Sequence, residues 1–250
     1  MGQRAAIRSE EFIGLVRPLL ESKDRDGLAT LLKARWTCRQ IAHLLGHDCP
    51  DVRKTAALAL GLVGQRECLP GLIALLRDPD PMVNQMAEHA LWNVWFRGGG
   101  CEANQHLARG TQALDRCDFA CAVDHFNEAI AICPDFAEAY NQRAMVRYLQ
   151  EDFDASLKDC LTAVRLMPEH FGAWAGMGHC HVHRGDVEEA LSCYEKALSI
   201  NPHLECVAEM VEELRNCPCG DDACGDDACG DDACGEDACR NETDDESSDD

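Results

Sequence analysis

Small and apolar positions recur every 34 residues between residues 103 and 204. The phrases AIAICPDF, AVRLMPEH and ALSINPHL place Pro134, Pro168 and Pro202 at this spacing. In each period two small residues lie seven positions apart, with a large ring or a thiol between them, as expected where two helices cross closely. These small pairs are Ala122 and Ala129, Ser156 and Ala163, and Ala190 and Ala197. The pattern predicts three helix-turn-helix units over residues 103–136, 137–170 and 171–204.

The three units resemble the tetratricopeptide (TPR) repeat. The third unit carries the most matching positions, namely Trp174, Gly178, Gly185, Asp186, Ala190, Tyr194, Ala197 and Pro202. The second unit matches at Tyr140, Ala144 and Pro168, whereas the first has His106 at the aromatic position. The segment ECVAEMVEELRN (205–216) reads as one more amphipathic helix, which would cap the open end of the stack.

The first hundred residues follow a shorter period of 31. The phrase PDVRKTAALALGLV recurs as PMVNQMAEHALWNV, so that Val52 corresponds to Val83. This pattern resembles the HEAT-like repeat of bilin-lyase-related proteins. Helices are also predicted in SEEFIGLVRPLL and DGLATLLKARW, and the run Gly98–Gly100 is predicted to end a helix and loosen the connection to the first 34-residue unit.

Together the two periods predict an all-α fold, a two-segment α-solenoid. We expect a HEAT-like helical repeat domain over residues 1–100 and a domain of three TPR units with a capping helix over 101–216. A disordered, acidic, cysteine-rich tail is expected over 217–250.

Charge excludes several classes of partner. The chain has 45 acidic and 23 basic residues, and residues 216–250 hold 14 of the acids with Arg240 as their one base. A protein this acidic repels nucleic acids and anionic membranes, so we expect neither as a partner. The N-terminus MGQRAAIRSEEF lacks the apolar segment of a secretion signal, and a cytoplasmic protein is predicted.

Motifs typical of enzymes are absent from the sequence. There is no phosphate-binding loop GxxxxGK[ST], no nucleophile elbow GxSxG and no metal helix HExxH. In the run HCHVH, His179 and His183 share a helix face, which provides two ligands where zinc uses three or four. We therefore expect no enzymatic activity and no required cofactor.

The resemblance to TPR proteins implies a concave groove, lined by the first helix of each unit, that binds a peptide segment of a protein partner. Carried over by position, the groove residues of the second and third units include Asn141, Met145, Tyr148, Leu149, His179, Val182 and His183. TPR domains that clamp the acidic C-terminus of chaperones use Lys, Arg and Asn in the groove. Here the diagnostic positions are occupied by Leu107, Thr111, Gly172 and Gly176, which argues against such a clamp. The hypothesis is an apolar or aromatic peptide ligand; the alternative is that these residues pack on a neighbouring helix or on the HEAT-like segment.

The tail repeats a thiol and a pair of acids. Thiolates beside carboxylates suit zinc or another thiophilic metal, although the C-x4-C spacing is looser than that of zinc knuckles. A redox or disulfide role and a passive acidic spacer are the alternatives. The candidate metal ligands are Cys217, Cys219, Cys224, Cys229, Cys234 and Cys239.

The sequence as a whole predicts a non-enzymatic scaffold or adaptor for protein partners. A metal-binding or metal-sensing protein that uses the tail is the alternative. An accessory factor for an enzyme acting on chromophores or cofactors is a third hypothesis, which rests on the HEAT-like resemblance alone.

Overall fold

The structure, a computed structural model, describes residues 7–216 and is all-α across them, which confirms the predicted fold class. The N-terminal segment (residues 7–97) contains two short 3-10 helices (His43–Gly46 and Arg66–Cys68) and six α-helices, α1 (Ser9–Glu21), α2 (Arg25–Arg35), α3 (Cys38–Ala42), α4 (Pro50–Val63), α5 (Leu69–Leu75) and α6 (Pro81–Trp95). The 34-residue units follow as α7 (Gly100–Leu114) with α8 (Phe119–Ile132), α9 (Ala137–Leu149) with α10 (Phe153–Leu166), and α11 (Phe171–His183) with α12 (Val187–Ile200). A last helix, α13 (Glu205–Asn216), packs on α12.

The N-terminal segment is built around the crossing of α4 and α6. Small side chains let these helices approach closely: a Cβ atom added at Gly61 would lie 3.1 Å from the Cα atom of Ala90. The alanine and leucine positions that share the 31-residue period are fully buried at this crossing. The Arg53 guanidinium also donates two hydrogen bonds to the Asp78 carboxylate, at 2.6 and 2.7 Å. The two copies of the 31-residue period, α4 and α6, therefore pack against each other.

Helix starts in the 34-residue units follow from local capping. The Asp118 carboxylate accepts a hydrogen bond from the backbone N–H of Cys121, and Asp152 accepts one from Ala155, each at 3.1 Å. These bonds satisfy N–H groups that have no partner inside the helix. In the first two units the aspartate that ends the turn thus fixes where the second helix begins, whereas Asp186 of the third unit makes no such side-chain bond.

In the first and third units the two helices cross where a glycine meets a ring. A Cβ atom at Gly110 would lie 2.4 Å from Phe126, and one at Gly178 would lie 2.4 Å from Tyr194. Both rings are fully buried. The crossing therefore has no room for even a methyl group.

This crossing gives a direct prediction for stability. Gly110→Ala should lower the free energy of unfolding by about 1–3 kcal/mol, because overpacking against Phe126 outweighs the better helix propensity of alanine. Gly14→Ala is the matched control, since it is exposed inside α1 with no neighbouring atom within 4 Å, and it should stabilise by about 0.5–1 kcal/mol. Urea unfolding followed by circular dichroism measures both; a stabilising Gly110→Ala would contradict the packing described.

The connection between the two segments is packed, and the predicted loosening at Gly98–Gly100 is wrong. Helix α6 already ends at Trp95, before the glycines. A Cβ atom at Gly99 would lie 2.3 Å from the Phe136 ring. The Asn104 side chain bridges the connection, accepting from the Gly99 N–H at 3.0 Å and donating to the Arg97 carbonyl at 3.1 Å. Glycine serves here for close approach, and at Gly100 for a backbone φ of +79°.

The N-terminal segment folds back onto the turns that end the second and third units. Arg66 donates to the carbonyl of Leu166, the last residue of α10, at 2.7 Å. Arg77 donates to the carbonyls of Ser199 and Ile200 at the end of α12. The C-terminus of a helix carries unpaired carbonyls and a partial negative charge. Each arginine therefore provides a hydrogen bond to such a carbonyl and places a positive charge beside the helix end.

An aromatic seam completes this contact between the segments. Trp95 stacks on His170 with ring centroids 4.2 Å apart, and both Trp92 and Trp95 meet the edge or face of Phe171. One hydrophobic core consequently runs from Phe12 through the seam to Val211 in α13. The predicted helical segments are present. The N-terminal segment shares this core with the third unit and α13, whereas the first unit packs around a separate cluster that contains Phe126.

Three of the six cysteines in the 34-residue units are core residues. Cys160, Cys180 and Cys193 are buried as free thiols. Burial raises the pKa of all three thiols above the ordinary value, so they stay protonated and pack as small apolar side chains.

Candidate functional site: a groove face on α9 and α11

The C-terminal halves of α9 and α11 present an apolar surface. Met145 and Leu149, one helical turn apart on α9, are each 48% exposed. Tyr148 lies beside them, and Val182 on α11 is partly exposed. We call these four residues, with His179 and His183, the groove face. Large apolar side chains are rarely left this exposed side by side without a partner.

Histidine and aromatic rings hold the groove face in place. The Tyr148 hydroxyl lies 2.7 Å from Nε2 of His183, which joins α9 to α11. The His183 ring stacks on Phe153 with centroids 4.7 Å apart and planes 8° apart. Phe153, the first residue of α10, also meets the edge of Tyr148 at 5.6 Å. Phe153 is not among the groove positions that the TPR resemblance implies.

His179 is a partly buried member of the groove face. Its Nδ1 is 2.8 Å from the Tyr194 hydroxyl, and its ring meets the edge of Tyr194. Burial, with a smaller contribution from His183, lowers the pKa of His179 below the ordinary value of a histidine. A neutral His179 ring can accept the Tyr194 hydrogen bond at Nδ1.

The lowered pKa of His179 predicts a contribution to acid sensitivity. The unfolded chain binds the His179 proton at a higher pH than the folded chain does, so this stabilisation is complete above the unfolded pKa of about 6.5 and is lost as pH falls below it. His179→Asn keeps an acceptor near the Nδ1 position and cannot titrate. We expect the loss of stability between about pH 7.5 and pH 5 to be smaller in this variant than in the wild type.

The test compares how steeply the stability of each protein changes with pH, because other groups titrate as well. The hydrogen bond from Arg53 lowers the pKa of Asp78, which also removes stability in acid, but equally in both proteins. Urea midpoints at the two pH values give the slopes. Parallel slopes for His179→Asn and the wild type would contradict the assignment.

The N-terminal half of α9 is closed. Asn141, a predicted groove residue, is 7% exposed and donates to the Glu138 carboxylate at 3.4 Å. Glu138 also accepts from Gln142 at 2.7 Å and lies 2.7 Å from Nε2 of His170. The side chains of Glu138 and His170 are completely buried. The structure thus places Asn141 in a buried polar network, apart from the six exposed or partly exposed members of the groove face.

The N-terminal segment covers this closed end. Gly172, at the second position of the third unit, packs under Trp92, and a Cβ atom there would lie 2.6 Å from that ring. Trp95 stacks on the same His170 that pairs with Glu138. The alternative that groove positions pack on the N-terminal segment therefore applies to the N-terminal half of α9. The N-terminal segment does not cover Met145, Tyr148 and Leu149 in the C-terminal half.

Two comparisons with known sequences bear on the repeats. The profile described as HEAT repeats matches residues 39–112, and that of the tetratricopeptide repeat matches 172–204. A TPR repeat-containing protein of Rhizobium etli is 30% identical over 138 residues, covering 55% of this chain and 67% of its own length. The chain belongs to the tetratricopeptide repeat proteins. The match to HEAT repeats, which runs into the first TPR unit, confirms the predicted HEAT-like segment.

Further relatives share the TPR part alone. The small glutamine-rich tetratricopeptide repeat-containing protein 2 of Saccharomyces cerevisiae is 30% identical over 92 residues, which cover 37% of this chain and 27% of that protein. The Hsp70-Hsp90 organizing protein of Triticum aestivum is 29% identical over 103 residues, covering 41% and 18% respectively. The chain therefore spans only about a quarter or less of these two relatives.

Among solved structures, the first TPR domain of RPAP3 bound to the HSP90 peptide SRMEEVD covers 46% of this chain and 90% of its own, with 19% identity and a TM-score of 0.45. The Sgt2 TPR domain of Aspergillus fumigatus covers 55% and 94%, with 22% identity and a TM-score of 0.43. At these scores the likeness carries no argument about function.

The chaperone-clamp positions of this TPR protein offer no cationic side chain. Leu107 is 1% exposed, and the Thr111 hydroxyl donates to the Ala108 carbonyl on its own helix. Gly172 lies under Trp92, and Gly176 faces the Cys160 thiol. The cations beside the groove face are paired: Arg147 with Asp159, and Arg184 with Asp154 and Asp186.

The tail metal site and a possible membrane span concern parts of the TPR protein other than the groove. The tail and its six cysteines, Cys217 to Cys239, lie outside the described residues, so the tail metal site remains a prediction. Within residues 7–216, no helix combines the length and apolar character needed to span a bilayer.

Proposed function

We propose that this TPR protein is a non-enzymatic adaptor that binds an apolar or aromatic peptide segment of a partner protein on its groove face. The observation that carries the proposal is the exposed pair Met145 and Leu149 beside the ring cluster of Tyr148, Phe153 and His183. Aliphatic and aromatic side chains of a peptide would bury this surface, and the ring cluster provides a rigid wall against which they can pack.

The groove face favours apolar ligands over acidic ones. An acidic peptide end needs positive charge at its carboxylates, but the clamp positions carry Leu107, Thr111, Gly172 and Gly176, and the arginines nearby are already paired. The overall charge of -22 would also repel an acidic peptide. We therefore infer that SRMEEVD, the peptide bound by the RPAP3 domain, is not a ligand of this protein.

Membership in the TPR proteins supports the adaptor role. The organizing role in the name of the wheat relative belongs to a protein of which this chain covers 18%, so we do not extend it to this protein as a whole. The HEAT repeats covering one end of the TPR groove would leave the Met145 end for the ligand and restrict the ligand's length.

A peptide-display selection on the full chain tests the proposal. Selected peptides should be enriched in Leu, Met, Phe and Trp and should bind with dissociation constants of about 1–100 μM by fluorescence anisotropy. Met145→Glu should weaken that binding by about tenfold or more, because it places a charge in the apolar contact.

Leu161→Glu is the matched control. Leu161 on α10 is 38% exposed and lies outside the groove face, so the same change there should leave binding within about twofold. SRMEEVD should show no measurable binding. Equal effects of the two glutamate variants, or tight binding of SRMEEVD, would overturn the proposal.

A further inference from the structure

Three metal-ligating side chains that are not part of the groove face converge in the N-terminal segment. The Sγ atoms of Cys38 and Cys68 and a carboxylate oxygen of Glu67 all lie within 4.8 Å of one another. Neither cysteine is in a disulfide. We propose that Cys38, Cys68 and Glu67 form a binding site for one thiophilic divalent metal ion, of the chemical class of Zn²⁺.

The ligands come from elements that are held in place. Cys38 is the first residue of α3, which begins with a capping box in which the Thr37 hydroxyl accepts from the Gln40 N–H and the Gln40 side chain accepts from the Thr37 N–H. Cys68 ends a short 3-10 turn (Arg66–Cys68), and its N–H donates to the Gln65 carbonyl at 2.9 Å. Such preorganisation lowers the cost of gathering ligands around an ion.

The spacing and the chemistry fit a zinc-like ion. Around a tetrahedral ion with Zn–S near 2.3 Å and Zn–O near 2.1 Å, ligand atoms are separated by about 3.4–3.8 Å, which small side-chain rotations can reach from the observed positions. Two sulfurs and one oxygen leave a fourth position for water. Glu67 is exposed, whereas Cys68 is 1% exposed, so an ion would enter from the Glu67 side.

Neighbouring groups balance the charge of a bound ion. Each thiol gives up its proton as its metal–sulfur bond forms, so two thiolates and one carboxylate around a dication leave one negative charge. Burial and the Glu67 charge raise the pKa of the Cys38 thiol, and the guanidinium of Arg97, whose nitrogens donate to the carbonyls of Gly61 and Gly64, acts in the opposite direction. The Cys38 thiol itself lies 3.2 Å from the Val63 carbonyl. The site therefore lies against the capped end of α4, with a cation alongside.

The experiment uses the full chain with the six tail cysteines replaced by serine, so that tail thiols cannot compete. Native mass spectrometry with added Zn²⁺ under a phosphine reductant should show one ion per chain. Cys38→Ser and Cys68→Ser should each weaken Zn²⁺ binding by about 100-fold or more, since second-shell changes alone cost about 10–100-fold. Cys49→Ser, an exposed thiol of the same segment, is the control and should leave binding unchanged.

Glu67→Gln guards against a folding failure in the cysteine variants. Its side chain is exposed, so the helical content should stay intact while Zn²⁺ affinity falls by about tenfold or more. Co²⁺ should give the absorption of a thiolate-bound tetrahedral ion, which the Cys38→Ser variant should lose. Absence of a bound ion in the tail-serine protein, or full retention of the ion by Cys38→Ser, would overturn the proposal.

Discussion

Trp95→Ala is expected to lower the free energy of unfolding by about 3–5 kcal/mol, the range for removing a large buried aromatic side chain. Trp95 is 2% exposed and lies where the N-terminal segment meets the third TPR unit. Its ring stacks on His170 and meets Phe171 and Trp92 at centroid distances of 5.1 and 5.0 Å. The loss would therefore open a cavity at the seam that joins the two segments. Urea unfolding monitored by circular dichroism measures it.

Trp95→Phe is the matched control for this prediction. The indole Nε1 of Trp95 is buried and has no hydrogen-bond partner, so phenylalanine removes an unsatisfied donor while keeping a ring in the stack. We expect Trp95→Phe to cost clearly less than the alanine variant, within about 1.5 kcal/mol of the wild type. A loss below about 1 kcal/mol for Trp95→Ala would contradict a shared core.

Asp159→Asn is expected to lower the free energy of unfolding by about 3–5 kcal/mol, the range for removing one partner of a buried ion pair. The Asp159 carboxylate on α10 accepts two hydrogen bonds from Arg143, both at 2.7 Å, and pairs with Arg147 at 2.8 Å. Its side chain is 5% exposed. Asparagine keeps the shape and removes the charge, which leaves two partly buried guanidinium groups of α9 without their counterion.

An exposed ion pair provides the control for Asp159→Asn. Glu195 and Arg215 pair at 2.6 Å, but their side chains are 55% and 58% exposed. Glu195→Gln should change the stability by no more than about 0.5 kcal/mol, because water screens the charges. Urea unfolding at low and high salt distinguishes the buried ion pair from the exposed one. Equal losses of stability in Asp159→Asn and Glu195→Gln would contradict the role assigned to burial.

Much of the fold could be predicted from the sequence because the residues that form the helix contacts recur at the period of the repeat. The small residues Ala122 and Ala129 of the first unit, like their counterparts 34 and 68 positions on, are buried at a helix crossing. The contact of Arg66 with Leu166 and that of Arg77 with Ile200 span about a hundred residues and occur once each. No periodic pattern signals such contacts, so the folding of the N-terminal segment onto the TPR turns could not be predicted.

The candidate site could also be predicted only in part. Met145 and Leu149 follow from their groove positions in the repeat, and both are exposed. The closed end depends on Trp92 and Trp95, which come from the other segment, and Phe153 joins the ring cluster only through the pairing of Tyr148 with His183. Contacts between segments and between units decide which groove positions stay open, and the pattern within one unit does not contain them.

The most direct test of the groove assignment is a methionine-methyl NMR titration of the full chain with a selected apolar peptide. Met145 on the groove face is 48% exposed, and Met82 on α6 is 51% exposed and serves as the internal reference. Binding on the groove face predicts a saturable shift of the Met145 methyl resonance with Met82 unchanged. A shift of Met82 without one of Met145 would contradict the assignment.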